Sequence, residues 1–201
     1  MALWQEDFHG WAQAWAAVQD LEAAVDGDVA TIGTRQVVRW TPGTDTPLPG
    51  GGAELLLATD DPAAAAGFAA ANGLHARPGL VLLAAQTEDL DLVPQLPPEA
   101  NLAEAPMENY DLVEIALFDR PVARGRLSVN GDLGVLAGLS VDPGHEDLLP
   151  QLEQAMAAGL GEEAFTHGAA TLFLVAGEDQ AARFAAAEGW SRVAQLLSIT
   201  R

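Results

Sequence analysis

The sequence predicts an α/β fold built on a mixed sheet. Short apolar segments rich in leucine and valine alternate along the chain with alanine-rich segments of helical periodicity. Clusters of glycine, proline, asparagine and aspartate separate these segments, as expected for turns between strands and helices. Hydrophobic residues make up 49% of the 201 residues, which is enough for a substantial core and excludes a disordered chain.

The first predicted element is an amphipathic helix. Apolar residues recur at helical spacing from Phe8 to Val25, and its aromatic face, Trp11 and Trp15, is interpreted as core or a dimer contact rather than a ligand pocket. An extended segment, Val29–Trp40, follows. Residues 41–52 hold three prolines and four glycines and are predicted to form a loop. Since no lysine follows its triple glycine, we do not interpret that loop as a phosphate site.

A strand–helix–strand unit completes the N-terminal half. The apolar segment Glu54–Ala58 is predicted to be a buried strand. Asp60-Asp61-Pro62 is typical of an N-cap followed by proline in the first helical turn. The alanine-rich helix runs to Ala71 and ends at Asn72-Gly73, and Leu80–Ala84 is predicted to be the next strand.

An acidic, proline-bearing segment, residues 86–99, is predicted to link two parts of the chain, 1–85 and 100–201. The second part is predicted to contain three strands and then two helices, each followed by a strand. The strands are predicted at Leu112–Leu117, Val122–Val129, Leu133–Val141, Thr171–Ala176 and Val193–Ile199, and the helices at Glu146–His167, loosened near Gly159 and Gly161, and Asp179–Glu188.

Two short segments repeat within the chain. FAAANGL at Phe68–Leu74 matches FAAAEGW at Phe184–Trp190 in the position of its phenylalanine, alanines and glycine. Each segment follows a short apolar strand and an acidic turn, and each precedes another strand. This shared order predicts an internal duplication.

The charge balance excludes several classes of function. Nine basic residues, all arginines, oppose 29 acidic ones, so this acidic protein has a formal net charge of -20. Phosphate backbones and anionic lipids would repel it, and we expect no nucleic-acid and no membrane partner. The absence of lysine excludes Schiff-base chemistry, and the absence of cysteine excludes thiol nucleophiles and disulfides. No secretory signal and no membrane-length apolar run is present, so we expect a cytoplasmic location.

Three segments of the second part carry a family resemblance: GVLAGLSVDPGH (134–145), TLFLVAGED (171–179) and AARFAAAEGW (181–190). They resemble the GNAT superfamily of acetyl-coenzyme-A-dependent N-acetyltransferases. The resemblance implies a GNAT-like fold, with 100–201 as a GNAT-like domain and 1–85 as a truncated N-terminal GNAT-like copy in a tandem repeat. It also implies acetyl-CoA as the cofactor.

The resemblance indicates which residues would bind acetyl-CoA. The main chain of Leu139, Ser140 and Val141 corresponds to the strand that pairs with the pantetheine arm in the family. The pyrophosphate of the cofactor lies on backbone N–H groups at a helix N-terminus, in a turn of small and basic residues. The corresponding residues here, which are acidic or bulky, are Glu146, Leu149 and Gln151. Pro150 removes one N–H from the same segment.

The positions of the family's catalytic groups also differ. Ala185 stands where the family has a tyrosine that is proposed to protonate the leaving thiolate, and Asp179 stands at an asparagine position. Glu114 is the candidate general base, with an exposed structural carboxylate as the alternative. No metal is predicted, because His145-Glu146-Asp147 is typical of the acidic first turn of a helix.

Two functions are compatible with these residues. The first is an N-acetyltransferase that moves an acetyl group from acetyl-CoA to a small-molecule amine. The second is a non-catalytic GNAT-like pseudoenzyme that binds a ligand or a protein partner, as a monomer or a homodimer.

Overall fold

The computed structural model describes residues 4–46 and 54–201 of the chain. Those residues form four α-helices, eleven strands and a short 3₁₀ turn at Thr87–Asp89. The helices are α1 Phe8–Ala17, α2 Pro62–Ala71, α3 Leu149–Thr166 and α4 Glu178–Ala185. The strands are β1 Ala23–Asp26, β2 Val29–Ile32, β3 Arg35–Arg39, β4 Glu54–Thr59, β5 His75–Gln86, β6 Ala100–Pro106, β7 Asp111–Leu117, β8 Arg120–Asn130, β9 Leu133–Val141, β10 Thr171–Ala176 and β11 Ser191–Thr200.

All eleven strands belong to one mixed sheet, in the order β1-β2-β3-β4-β11-β5-β10-β9-β8-β7-β6. The pairs β3–β4 and β9–β10 are parallel, and the other neighbours are antiparallel. The predicted α/β mixed sheet is therefore confirmed. Strand β11 lies between β4 and β5, and β5 lies between β11 and β10, so the two halves of the chain interleave their strands.

The two predicted strand–helix–strand units occupy equivalent places in this sheet. In the first unit, β4 pairs in parallel with β3, and β5 follows after α2. In the second unit, β10 pairs in parallel with β9, and β11 follows after α4. The last strand of each unit leaves its own half and pairs antiparallel with a strand of the other half.

The helices cover both faces of the sheet. Alternate residues of a strand point to opposite faces. Leu56 and Leu82 accordingly belong to the core cluster that contains the aromatic residues of α1. Leu57 belongs to the cluster of α2, and Leu83 belongs to the cluster of α3 and α4. The aromatic face of α1 is buried, as the core interpretation predicted. None of the helices in the described residues has the length and apolar character that a membrane span requires.

Several predicted boundaries are confirmed. Strands β9 and β10 begin and end at the predicted residues. Asp61 caps α2, because its carboxylate accepts a hydrogen bond from the N–H of Ala64 at 2.9 Å, and Pro62 opens the helix. The β7–β8 hairpin is closed by Phe118 and Asp119, both with positive φ.

The predicted helix Phe8–Val25 is wrong in its second half. Helix α1 ends at Ala17, Asp20 adopts a positive φ of 62°, and the chain turns back to form β1. Leu21, which continued the helical period by chance, is 43% exposed. The predicted extended segment Val29–Trp40 is divided at Gly33, whose φ is +57°, into the hairpin of β2 and β3.

The predicted loosening of the long helix is also wrong. Helix α3 is continuous through Gly159 and Gly161, and it begins only at Leu149. These glycines allow close packing: a Cβ at Gly161 would lie 2.7 Å from Leu92, and one at Gly159 would lie 3.1 Å from Leu102. Strand β6 was not predicted at all, and the triple glycine of the predicted loop lies outside the described residues.

Candidate functional site

The ladder between β9 and β10 stops at the place where the sequence predicted cofactor-binding main chain. Parallel pairing of β9 with β10 runs from Leu133 to Ala137 only. Beyond Ala137, the other edge of β9 remains paired with β8, through Ser140 opposite Arg124 and Val141 opposite Ala123. The segment Leu139–Val141 therefore has one edge outside the β9–β10 ladder. We call the space bounded by this segment, the N-terminus of α3 and helix α4 the C-terminal cleft.

A side chain of α4 already contacts the main chain in that cleft. The Gln180 amide donates a hydrogen bond to the carbonyl oxygen of Leu139 at 3.1 Å and another to Oε1 of Glu153 at 2.7 Å. Because this amide is fixed by an acceptor on α3 as well as one on β9, it connects three elements that surround the cleft. The Leu139 carbonyl, which belongs to the main chain predicted to pair with a pantetheine arm, therefore accepts a bond from a side chain of this protein.

Helices α3 and α4 are joined across the cleft by a bidentate ion pair. Arg183 donates from Nε to Oε2 of Glu153 at 2.7 Å and from Nη2 to Oε1 at 2.8 Å. The Glu153 side chain is 3% exposed and the Arg183 side chain 31% exposed. The hydrogen bond that Arg183 donates to Glu153 raises the pKa of Arg183 above its usual range, so the guanidinium stays charged. A carboxylate this deeply buried is stable only with such partners.

The turn before α3 uses its own N–H groups. The N–H of Leu148 donates to the carbonyl of His145 at 3.0 Å, and that of Leu149 donates to the carbonyl of Glu146 at 3.4 Å. The Gly144 N–H donates to both carboxylate oxygens of Glu146, each at 3.1 Å. These backbone hydrogen bonds lower the pKa of Glu146. The turn that leads into α3 therefore already holds a carboxylate, and Pro150 in the first turn of the helix supplies no N–H.

No protein-family model and no curated protein matches the sequence. Solved structures do match the fold. A GCN5-related N-acetyltransferase from Kribbella flavida superposes with a TM-score of 0.62 at 18% identity, covering 95% of this chain and 94% of that one. This chain has the GNAT fold. A tandem GNAT protein from the clavulanic acid biosynthesis pathway matches with a TM-score of 0.53 at 14% identity, covering 90% of this chain and 82% of that one.

A third match, a GCN5-related N-acetyltransferase-like protein from Streptococcus suis, has a TM-score of 0.54 at 11% identity. It covers 98% of this chain and 97% of its own. The GNAT-like fold implied by the sequence resemblance is thus confirmed, and the match extends over nearly the whole chain rather than the C-terminal part alone.

Within the GNAT fold, the candidate base lies on a row of residues that ends at the C-terminal cleft. Glu114 on β7 is directly opposite Arg124 on β8, which is directly opposite Ser140 on β9. The Cα atoms of Glu114 and Ser140 are two strand spacings apart, or roughly 10 Å. The structure thus places Glu114 and Ser140 on one row, whereas Ala185, the tyrosine position, is an exposed residue at the end of α4.

A second group of ionisable side chains lies at the other end of α3. One donor atom each from Asp111, Glu163 and His167 lies within 4.8 Å of the other two, and among the described residues this is the one group of metal-ligand type. His167 Nε2 lies 2.9 Å from Oε1 of Glu163. Burial is the larger cause, and the nearby Glu163 carboxylate the smaller, of the raised pKa of Asp111. The same two causes raise the pKa of Glu104. Sequence reasoning missed this group because Asp111 is far from the α3 residues along the chain.

Sequence reasoning also missed the residues that join the two sides of the cleft. Glu153 and Gln180 lie outside the three segments that carry the resemblance, and Arg183 lies within the third segment, where the resemblance assigns it no role. The available signal was Glu153 itself, a charged residue between the apolar positions Leu152 and Met156 that face the core. A buried acid on such a face requires a basic partner on a neighbouring element.

Proposed function

We propose that this GNAT-fold chain is a non-catalytic binding protein whose C-terminal cleft is closed by its own side chains. The observation that carries the proposal is the hydrogen-bonded group formed by Glu153, Gln180 and Arg183. Helices α3 and α4 flank the cleft, and this group ties them together with a buried carboxylate. Opening the cleft would separate that carboxylate from its donors, which is strongly unfavourable.

The residues present do not fit the pyrophosphate of acetyl-CoA. An anion at a helix N-terminus needs free N–H groups and a positive potential. Here two N–H groups of the turn are bonded to carbonyls, a third is bonded to the carboxylate of Glu146, and Pro150 has none. Glu146 and Asp147 add negative charge at the same place, in a chain with a formal net charge of -20. A pyrophosphate would be repelled there.

The residues also do not fit the pantetheine arm. Its pairing with the strand requires main-chain groups of Leu139–Val141, and the Leu139 carbonyl already accepts a bond from Gln180. The same amide nitrogen donates its second N–H to Glu153, so moving the whole amide away from Leu139 would also take a donor from that carboxylate. The side chains that would have to move are therefore the same ones that hold α3 to α4.

One observation favours the alternative function, an N-acetyltransferase that acts on a small-molecule amine. The ladder between β9 and β10 stops at Ala137, and the row that contains Glu114 ends just beyond it, at Ser140. If acetyl-CoA were bound at Ser140, Glu114 would be the group that removes a proton from the amine, directly or through a water molecule.

We also propose that residues 1–85 are a truncated second GNAT-like copy. The support is the equivalent placement of β3–β4–α2–β5 and β9–β10–α4–β11 in the sheet. The C-terminal half has α3 between its two parallel strands. In the N-terminal half, the described residues 40–46 between β3 and β4 contain no helix.

A thiol-release assay distinguishes the two functions. Acetyl transfer frees the thiol of coenzyme A, and this chain contains no cysteine, so a thiol reagent reports coenzyme A alone. The wild-type protein would be incubated with acetyl-CoA and a panel of polyamines, amino sugars and amino-terminal peptides. We expect no release above the protein-free rate. Amine-dependent release that Glu114→Gln abolishes and Glu88→Gln preserves would contradict the non-catalytic proposal and establish the alternative.

A further inference from the structure

Three side chains of metal-ligand type meet where the C-terminal end of α3 packs on the start of β7. Glu163 and His167 are four residues apart, so they lie on one face at the end of the helix. Asp111 is the first residue of β7, and it shares a face of that strand with Val113 and Ile115, which belong to the core cluster that contains α3. Two elements thus bring an imidazole and two carboxylates together, at the opposite end of α3 from the C-terminal cleft.

The donor atoms have the separations that a small divalent cation needs. One donor atom from each of the three residues lies within 4.8 Å of the other two, and Nε2 of His167 lies 2.9 Å from Oε1 of Glu163. A tetrahedral zinc ion with bonds of about 2.0–2.1 Å holds its ligand atoms about 3.3 Å apart. That value lies between the shortest separation and the upper limit. The side chains of His167 and Glu163 are 54% and 31% exposed, so they have room to rotate around an ion.

The local charge favours a cation. Glu104 on β6 lies opposite Val113, and its carboxylate is repelled by those of Glu163 and Asp111. Among the described residues, no arginine forms an ion pair with these three carboxylates, and Glu163 pairs with His167 alone. Carboxylates that lie close together without an arginine produce a negative potential, which attracts a divalent ion.

The group borders a pocket that contains a further unpaired polar side chain. This pocket has a volume of about 450 Å³, and its wall includes Asp111, His167, Tyr110 and Ser128. Ser128 is 8% exposed, and its hydroxyl has no hydrogen-bond partner among the described residues. Native proteins rarely leave a buried hydroxyl unpaired, so water or a ligand in the pocket is needed as its partner. The pocket therefore gives an ion at Asp111 and His167 access to solvent and room for a further ligand.

We propose that Asp111, Glu163 and His167 bind a zinc ion whose fourth position faces this pocket and holds a water molecule. Zinc accepts both imidazole and carboxylate ligands, and three protein ligands with one water are typical of its open sites. The proton between His167 and Glu163 goes to solvent when the ion binds, because the metal needs a free nitrogen lone pair. The site does not involve residues 145–147, for which no metal was predicted, and it is independent of acetyl-CoA binding in the C-terminal cleft.

Calorimetric titration of the full chain with zinc chloride tests this site. Millimolar magnesium is present to occupy weak oxygen sites on the acidic surface. We expect saturable binding of one zinc ion per chain. His167→Ala should weaken it by about a hundredfold or more, since loss of a residue that merely supports a ligand already costs roughly 10–100-fold. His145→Ala is the matched control, because it removes another histidine beside two carboxylates, and it should bind zinc like the wild type.

Melting temperatures with chelator and with zinc provide a second readout. In chelator, Asp111→Asn should melt at or above the wild type, because it removes a carboxylate that repels its neighbour. At a hundred times the zinc dissociation constant, the wild type should melt roughly 5–10 °C higher than in chelator, and Asp111→Asn should gain much less. A merely structural role of Asp111 would not produce this reversal.

Three results would overturn the proposal. The first is the absence of saturable zinc binding by the wild type. The second is a loss of affinity in His167→Ala no greater than that in His145→Ala, which would place the ion elsewhere on the acidic surface. The third is equal stabilisation of Asp111→Asn and the wild type by zinc.

Discussion

Arg183→Met should destabilise the protein far more than Glu153→Met, although both remove the same ion pair. The reason is the difference in burial: the Glu153 side chain is 3% exposed and the Arg183 side chain 31%. Without Arg183, a buried carboxylate keeps only the hydrogen bond from Gln180. Without Glu153, the guanidinium can turn into water.

The burial of each partner sets the expected magnitudes. A buried charge that loses its partner lowers the free energy of unfolding by about 3–5 kcal/mol, and this is the loss expected for Arg183→Met. For Glu153→Met we expect a loss of roughly 1–2 kcal/mol, because a partly exposed guanidinium is hydrated and its pair is screened by water. The double variant replaces the pair by two apolar side chains and should lie within about 1.5 kcal/mol of the wild type.

Urea unfolding at neutral pH measures all four proteins of this cycle, with stability taken by linear extrapolation. The double variant should be more stable than Arg183→Met, so the coupling between the two positions is large. Equal losses for the two single variants, or a loss below about 1 kcal/mol for Arg183→Met, would show that Glu153 is not buried as described. The proposal that Glu153, Gln180 and Arg183 close the C-terminal cleft would then fail.

Three further variants test separate parts of the fold. Asp61→Ala removes the cap of α2 and should cost about 1 kcal/mol by urea unfolding, whereas Asp61→Asn keeps the acceptor and should stay near the wild type. Gly79→Ala puts a Cβ 2.7 Å from a backbone carbonyl of β11 and should cost about 1–3 kcal/mol; Gly67→Ala, with nothing within 4 Å in α2, should be neutral or stabilising. Asp111→Asn should stabilise the protein by roughly 0.5 kcal/mol at neutral pH. Burial and a neighbouring carboxylate raise the pKa of Asp111, so its charge opposes folding above that pKa, and the gain should vanish as the pH falls through it. Melting temperatures of both proteins across this pH range measure that difference, and a gain that persists at low pH would contradict the assignment.

Elements with strong local signals were predictable from the sequence. Strand β9 follows the turn Asn130-Gly131-Asp132 and contains a continuous apolar run, so its ends were fixed by local chemistry. Helix α2 has both a capping aspartate and a terminating Asn72-Gly73. In contrast, Leu21 and Val25 extended the period of α1 by chance, and no local signal marked the turn at Asp20.

Partners in space were not predictable. The apolar pattern of β11 gives a strand, but nothing in it indicates that β4 and β5 are its neighbours. Likewise, Gly159 is a weak helix residue by propensity and a packing position in the fold, where Leu102 of the unpredicted β6 contacts it.

The candidate site also combines residues with local sequence signals and residues that meet only in the folded chain. Glu146 and Pro150 could be assigned from the sequence, because alignment with a family turn needs only local order. Their effect depends on hydrogen bonds that only the structure shows, such as the one from Gly144. The pair Glu153–Arg183 is 30 residues apart along the chain and is formed only when α3 and α4 pack. The residue types of the turn are therefore readable from the sequence, whereas the ion pair between α3 and α4 is not.

Calorimetric titration of the full chain with acetyl-CoA tests whether the C-terminal cleft accepts the cofactor. We expect no saturable heat and no shift in melting temperature at millimolar acetyl-CoA. A ligand at a hundred times its dissociation constant stabilises a fold by about 2.7 kcal/mol, so binding would be evident. Saturable heat accompanied by such a stabilisation would contradict the proposal that the cleft is closed and would mean that Glu153, Gln180 and Arg183 yield to the cofactor.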